Sequence, residues 1–551
     1  MRCVWAAEAD DLAFQAETIR EELERKAIPG FEEEPVIEGE PEEAAIPEEL
    51  GPKFLVKRIE FETPPRIPLK EFEPILREYE NRELHFRDLQ LLAKILSDRY
   101  RQKGFITSRV FVPPQKIENG IVRLQTLEGR LGEIYVEGTN RYKPEFLRDV
   151  MEYRMDETFR VHDLEAGLIY LNQLPELKTK AYLINGATVE TTDVILKAEE
   201  AGSPGHLYYE FHNRGSKSTH LSRHVLHWDY DNLSGYGDPF NVGYILAEEG
   251  ALTGIFYQYR RPFHGGLTNV SISGSRIDSI IVNHLKPFEI EGESSSFTPS
   301  LSHDWILDDG TVLGAHVDFE IKDSKVSLSD FKSTFDRSRA LVFGPTVQWK
   351  SPVSRTYLAL DTHWGVPDFL GASSENDENV SKENTGGNFM YYTGSVDHLM
   401  RVSESSFLTV RLKGQWTRDT LMSLEQFRLG GANSVRGYPE SDSAGDYGYQ
   451  AGAEYVLGLP ASAPDWKIPF TTQRLKDIFQ TVFFLEGGKA FMRERASERE
   501  EKDRFLLGTG LGIRLRLSPY QTFQLDWGYP LGDESRDEDR AQYHLSLKYG
   551  F

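Results

Sequence analysis

The chain of 551 residues has a single cysteine, Cys3, so no internal disulfide can form and no thiolate cluster can hold a metal. No stretch approaches the about 18 consecutive apolar residues that a membrane-spanning helix needs. A helical membrane protein is thereby excluded. A membrane barrel is not, because its strands show lipid only one face, alternate in polarity and leave overall hydropathy near that of a soluble chain. Positive charge is scarce: 63 Lys and Arg against 87 Asp and Glu give a net charge of −24. Nucleic acid, which selects basic surfaces, is not an expected partner. Hydrophobic residues reach 39%, little for one buried core in so long a chain. His-Glu-x-x-His, Gly-x-Ser-x-Gly and phosphate-loop patterns are lacking. The histidines do not converge. His162, His206 and His212 are scattered, and His220, His224 and His227 fall at a turn into a strand, where His227 points away from the other two. No catalytic site, cofactor or metal is expected.

What is present falls into five stretches. Residues 1–30 open on "MRCVWAAEADD", which has no basic, apolar leader but ends like the small-residue end of a signal peptide. The expectation is a truncated start or a nearly mature chain. Within this stretch Leu12, Ala16, Ile19 and Leu23 predict an amphipathic helix over 10–27. Residues 31–52 contain nine acids, three prolines and no Lys or Arg between Phe31 and Leu50, an extended, self-repelling linker. Residues 53–129 and 130–201 repeat one order, β-α-α-β-β, each closing in a hairpin whose edges are expected to be unpaired. Such a unit is a small α+β layer pair.

From 202 to 551 the helical period nearly vanishes, and about 16 alternating segments follow, the first over 205–213 and the last over 541–551. Their lengths suit tilted strands crossing a bilayer. Tight links such as "FHGG", "DDG" and "SPV" alternate with long polar ones, expected after the fifth, seventh, ninth, eleventh and thirteenth strands. One rim of short turns and one of long loops is an outer-membrane barrel pattern. Faces are clearest near the end. Glu454, Arg514, Arg516, Asp526 and Lys548 share a polar, glycine-rich face with Gly508, Gly510 and Gly512. Leu547, Tyr549 and Phe551 lie on the opposite, lipid-facing stripe, and Phe551 ends the strand that closes the barrel. A sheet in lipid must leave no edge, and 16 strands enclose a lumen too wide for side chains alone to fill.

Residues 427–440, "FRLGGANSVRGYPE", resemble the signature of the sixth extracellular loop, here 418–445, in the superfamily of barrel-assembly proteins and two-partner secretion transporters. The resemblance implies that the tip Val435-Arg436-Gly437-Tyr438 folds into the lumen and that Arg436 meets an acid on a following strand. "VFFLEGGKAF" is similar to that strand, with Glu486 where an Asp is usual, Phe484 before it and Gly488 after it. Asp526 is a second candidate acid. Gly430, Gly431 and Gly437 would let the loop turn tightly. The repeats look like POTRA modules, and a pair of them behind a tethered helix resembles the transporter half of two-partner secretion, the hemolysin secretion/activation type.

The resemblance implies a Gram-negative-type outer membrane protein with periplasmic POTRA domains and extracellular long loops. It implies an unfolded, β-helical exoprotein client, captured by the POTRA edges and passed through the lumen once the helix leaves it. Barrel-assembly machinery and periplasmic chaperones would be partners during biogenesis. The alternatives are an insertase that uses the seam between first and last strands, a passive porin, and a soluble β-rich adhesin.

Overall fold

The computed structural model describes residues 35–38 and 52–551, apart from 156, 189, 309, 329–330, 376, 461, 469–472, 494–502, 519 and 536–540. The expected helix over 10–27 lies outside the described residues, as does most of the linker.

The first repeat pairs strands Arg58–Phe61, Ile121–Leu127 and Arg109–Phe111, with Lys53–Val56 and Arg82–His85 forming a second small ladder. Helices α1 (Leu69–Tyr79) and α2 (Phe86–Gln102) cover the sheet. Leu89, Leu92, Leu96 and Tyr100, spaced three to four apart, put one stripe of α2 into a core with Phe72, Val122 and Leu124. The His85 side chain accepts from the backbone of Asp88, whose carboxylate accepts the His85 N–H at 2.7 Å, a reciprocal cap that starts α2. In the second repeat, α3 (Pro144–Glu152) and α4 (Val161–Asn172) pack on strands Arg130–Glu137, Leu177–Asn185 and Thr191–Glu200.

One edge of this second sheet is not unpaired as expected. Ile37–Glu38 adds to it as a parallel strand, Ile37 opposite Ala181. A two-residue strand inside an acidic, proline-rich stretch has no readable period, yet Ile37 packs onto the apolar core of the repeat.

Sixteen antiparallel strands then close into a barrel, from Gly205–His212 to Gln542–Gly550. Tyr543, Leu547, Tyr549 and Phe551 point outward, while His544 and Ser546 are buried inward. The first and last strands share five partner pairs, Tyr208–Gly550 to His212–Ser546. The next shortest pairing in the barrel has seven, between the third and fourth strands.

The expected long loop after the seventh strand is almost wholly strand instead, and the one after the fifth is shortened to residues 281–289. The sixth, seventh and eighth strands run Ile290–Asp308, Thr311–Leu328 and Phe331–Lys350, above the apolar belt. Both faces are wet there, so alternation fades from the sequence while the ladder continues. Its outward Lys325 and Arg276 reach Glu293 at 3.2 and 3.5 Å.

The second repeat sits against the turns at the base of the barrel. The Lys143 N–H donates to the Gly235 carbonyl at 2.8 Å, and the Arg154 guanidinium to that of Gly265 at 2.5 Å. The Tyr236 ring lies between the Arg261 guanidinium, 3.6 Å from its centroid, and Lys143, at 4.4 Å. The Tyr520 hydroxyl donates to Glu176 at 3.0 Å. Contacts to three separate turns fix this repeat relative to the pore.

Candidate functional site inside the barrel

Between the eleventh strand (Ser406–Thr417) and the twelfth (Tyr447–Gly458) the chain turns back into the lumen. Phe427–Leu429 and Ser443–Gly445 pair as a small ribbon that carries the tip inward. Gly430 and Gly431 have φ of +107° and +97°, the left-handed region that side chains resist. Gly437, at φ +119°, brings the backbone so close to the wall that a Cβ would lie 2.9 Å from the Tyr529 carbonyl carbon.

The thirteenth (Phe479–Phe491), fourteenth (Phe505–Ser518) and fifteenth (Gln521–Pro530) strands form the receiving wall. Its inner face is glycine where the tip touches. A Cβ on Gly508 would collide with the Arg436 carbonyl, one on Gly528 would stand 2.5 Å from the Gly437 nitrogen, and one on Gly488 3.0 Å from Leu429. Gly508 and Gly528 were legible only as part of a polar face, and Gly488 only as part of the strand motif. The signal for a docking groove was their period of two opposite a loop that itself carries glycines.

Arg436 is the centre of the site, its side chain 4% exposed. Nε lies 3.0 and 3.1 Å from the two Glu486 oxygens, Nη2 lies 2.5 Å from Glu486 Oε1 and 2.8 Å from Glu454, and Nη1 lies 3.3 Å from Asp526. Its backbone N–H also donates to Glu486, at 2.9 Å. Glu486 therefore holds the guanidinium and the main chain together, a task suited to its extra methylene. The guanidinium stacks 3.6 Å from the centroid of Phe484. Arg514 forks onto Asp526 at 2.5 and 2.9 Å, so two cations meet three carboxylates. A buried charge is tolerated only when paired and hydrogen-bonded, and the fork geometry of Arg satisfies several acids at once.

Both candidate acids, Glu486 and Asp526, thus reach Arg436, and Glu454 is a third that the sequence marked only as a generic lumen charge. Arg516 lies on the same face but is exposed and stands apart from the cluster. Val435 and Tyr438 are fully buried with Phe427, Leu429, Ala490 and Leu506. The Tyr438 hydroxyl donates to the Asp533 carbonyl at 3.0 Å, a bond to the eighth extracellular loop that nothing in the sequence announced. Beside the tip a lumen cavity of about 370 Å³ is lined by Glu210, Arg214, Arg411, Gln450 and Gln524. Phe551 lies across the barrel seam, its N–H on the Leu207 carbonyl at 2.9 Å and its ring edge-on to Tyr549.

A barrel of 16 strands with POTRA modules before it and a loop tip pinned inside defines an outer-membrane polypeptide transporter. Residues 190–515 match the family profile described as haemolysin secretion/activation protein ShlB/FhaC/HecB, and residues 54–129 match the POTRA domain, ShlB-type. The chain belongs to that haemolysin secretion/activation family. It is 22% identical over 509 residues to the heme/hemopexin transporter protein HuxB of Haemophilus influenzae, covering 90% of this chain and 87% of that one. It is 25% identical over 415 residues to the outer membrane transporter CdiB of Dickeya dadantii, covering 72% and 71%. Among solved structures, CdiB from Escherichia coli superposes with a TM-score of 0.72 at 20% identity, covering 100% of this chain and 98% of that chain. BamA from Haemophilus ducreyi gives 0.51 at 12% identity, over 90% and 99%. The protein is therefore an outer-membrane two-partner secretion transporter, with its POTRA domains in the periplasm and a secreted exoprotein as client.

Proposed function

We propose that the client passes through the lumen in extended form and that the Arg436 cluster holds the barrel in its transport-competent shape. The observation that carries this reading is the loop tip itself, which is clamped inside the conduit by bonds to the twelfth, thirteenth and fifteenth strands. Removing it is then the natural control point for passage. The POTRA edges capture the client by strand addition, gaining backbone hydrogen bonds with little demand on sequence. At the second repeat that edge is already taken by Ile37–Glu38, so capture there requires exchange. The client is a large β-helical exoprotein whose folding outside biases movement outward. Barrel-assembly machinery and periplasmic chaperones serve the transporter's own biogenesis, with the stripe Leu547, Tyr549, Phe551 as its assembly signal.

The test compares proteins outside the cell for the native gene, a deletion and Arg436→Ala at matched barrel levels. One or two large proteins should vanish in the deletion and fall with Arg436→Ala. A second reading, insertion of membrane proteins through the seam, is favoured by the five-pair junction of the first and last strands. An unchanged secretome with several outer-membrane barrels depleted would establish it instead.

A further inference from the structure

A second polar hub lies above the Arg436 cluster, at the root of the same loop. The Asp446 carboxylate is fully buried and draws donors from three extracellular loops. From the sixth loop come the Leu421 N–H at 3.0 Å and the Gln426 amide at 3.2 Å. From the seventh comes the Arg493 N–H at 2.8 Å. From the fifth comes the Lys382 ammonium, 3.1 and 3.2 Å from the two oxygens. The Asp446 carbonyl accepts from Gln415 of the wall at 3.0 Å.

The fifth loop, which leaves the ninth strand (Ser354–Gly365) and returns at the tenth (Met390–Ser403), has its other anchor across the rim. Ser381, next to Lys382, donates its N–H and hydroxyl to Asp336 of the eighth strand at 2.8 and 2.6 Å. Adjacent residues thus join the eighth strand on one side to the root of the twelfth on the other. Ser423 of the sixth loop donates its N–H to the Ser381 hydroxyl at 3.3 Å. Val380 of this chord is buried with Phe389, Leu421 and Met422 and with Ala340 and Tyr391 of the wall. The chord runs over the inner ends of the ninth to eleventh strands.

We propose that residues 380–382 form a strap across the extracellular mouth, latched by Lys382 to Asp446, and that export requires this latch to open in addition to the Arg436 cluster. A pair in which one partner has further ligands and the other is a single ammonium suits a latch. The Lys382 side chain is 12% exposed, within reach of water, whereas Asp446 keeps its loop donors when the lysine departs. Release of Lys382 therefore detaches the fifth loop from the root of the twelfth strand, leaving its Asp336 anchor as a hinge, without dismantling the sixth. The proposal rests on the lumen being the route.

The test uses the full-length transporter in cells, with Ser381→Cys and Ser423→Cys introduced together and the disulfide followed by gel mobility. Oxidation should stop client export and reductant should restore it, while the reduced double variant exports normally. In planar bilayers Lys382→Ala should raise the frequency of large-conductance openings with the heat-modifiable fold intact, and Lys382→Arg should retain native gating. Native-rate export from fully cross-linked protein would overturn the strap, as would native gating of Lys382→Ala. Failure of the route is read separately: a bulky maleimide on Gln450→Cys, in the lumen between the two hubs, should block export, and if it does not, the lumen reading falls regardless of the strap.

Discussion

The sixth to eighth strands and the twelfth to fifteenth belong to one closed sheet but are held in different ways. The former run 19, 18 and 20 residues and rise beyond the lipid belt, stabilised by their own ladder and by exposed pairs such as Lys325 with Glu293. The latter run 12, 13, 14 and 10 residues, and part of their inner face is glycine, filled by a loop rather than by side chains. The tall wall meets the sixth loop through side chains, Lys322 reaching Glu425 at 3.3 Å and Ala340 packing with Leu421 and Met422, while its own ladder continues beyond them. A wall whose packing is supplied by a removable loop is coupled to it. The difference teaches where passage of a client and stability of the barrel are linked, namely on the strands that face Arg436.

The comparison is broken most severely by Arg436→Ala. It strands Glu454 and Glu486 without their cation and should cost roughly 3–5 kcal/mol, the usual penalty for leaving a buried charge unpaired. Lys325→Ala in the tall half removes a pair whose side chains are 36% and 51% exposed and should cost about 0–1 kcal/mol. Thermal loss of the heat-modifiable band reads both, and equal shifts would erase the distinction.

Much of this was legible in sequence, and the limits have physical causes. Strands twelve to sixteen alternate cleanly because one face meets lipid and the other water, so Leu547, Tyr549 and Phe551 could be placed outward. The extensions through Glu293, Lys325 and Arg337 could not be seen as strand, since water bathes both faces. Arg436 and Glu486 were paired through a motif, whereas Glu454 and the Asp533 carbonyl are partners that only the closed barrel brings near. Ile37 was hidden in the acidic linker because its strand exists only against Ala181.

A second, smaller contrast uses glycine. Gly508→Ala places a methyl against the Arg436 carbonyl and should cost about 1–3 kcal/mol by overpacking. Gly274→Ala, in the fifth strand, meets the end of a flexible Tyr257 side chain at 2.6 Å and the Ser296 carbonyl only at 2.9 Å, whereas the Arg436 carbonyl is closer still at Gly508, and should cost less. Protease accessibility of the sixth loop should rise in the first variant alone.

Asn213 sharpens the picture at the seam. Its amide donates to the Tyr543 carbonyl at 2.7 Å and its oxygen accepts the Leu545 N–H at 2.7 Å, extending the short junction by one side chain that imitates a peptide. Asn213→Ala should cost about 1 kcal/mol per bond lost, visible as a lower unfolding midpoint without loss of export.

The smallest effect lies outside both walls, at the junction with the second repeat. Burial pushes Glu200 upward, but the N–H groups of Tyr142, Arg141 and Asn140 and the Arg141 side chain outweigh it and hold its carboxyl below the ordinary value. A depressed folded pKa contributes stability that is full above the unfolded carboxylate pKa and is lost as pH falls through the folded one. Limited proteolysis of the junction should therefore accelerate only in acid, and Glu200→Gln should flatten that dependence.

The most direct measurement places a photoreactive side chain at Gln450 in the lumen and, separately, at Leu547 on the seam of a transporter stalled with its client. Passage through the lumen past the Arg436 cluster predicts client adducts at Gln450 and none at Leu547. Adducts at Leu547 with none at Gln450 would contradict it and assign the route to the seam.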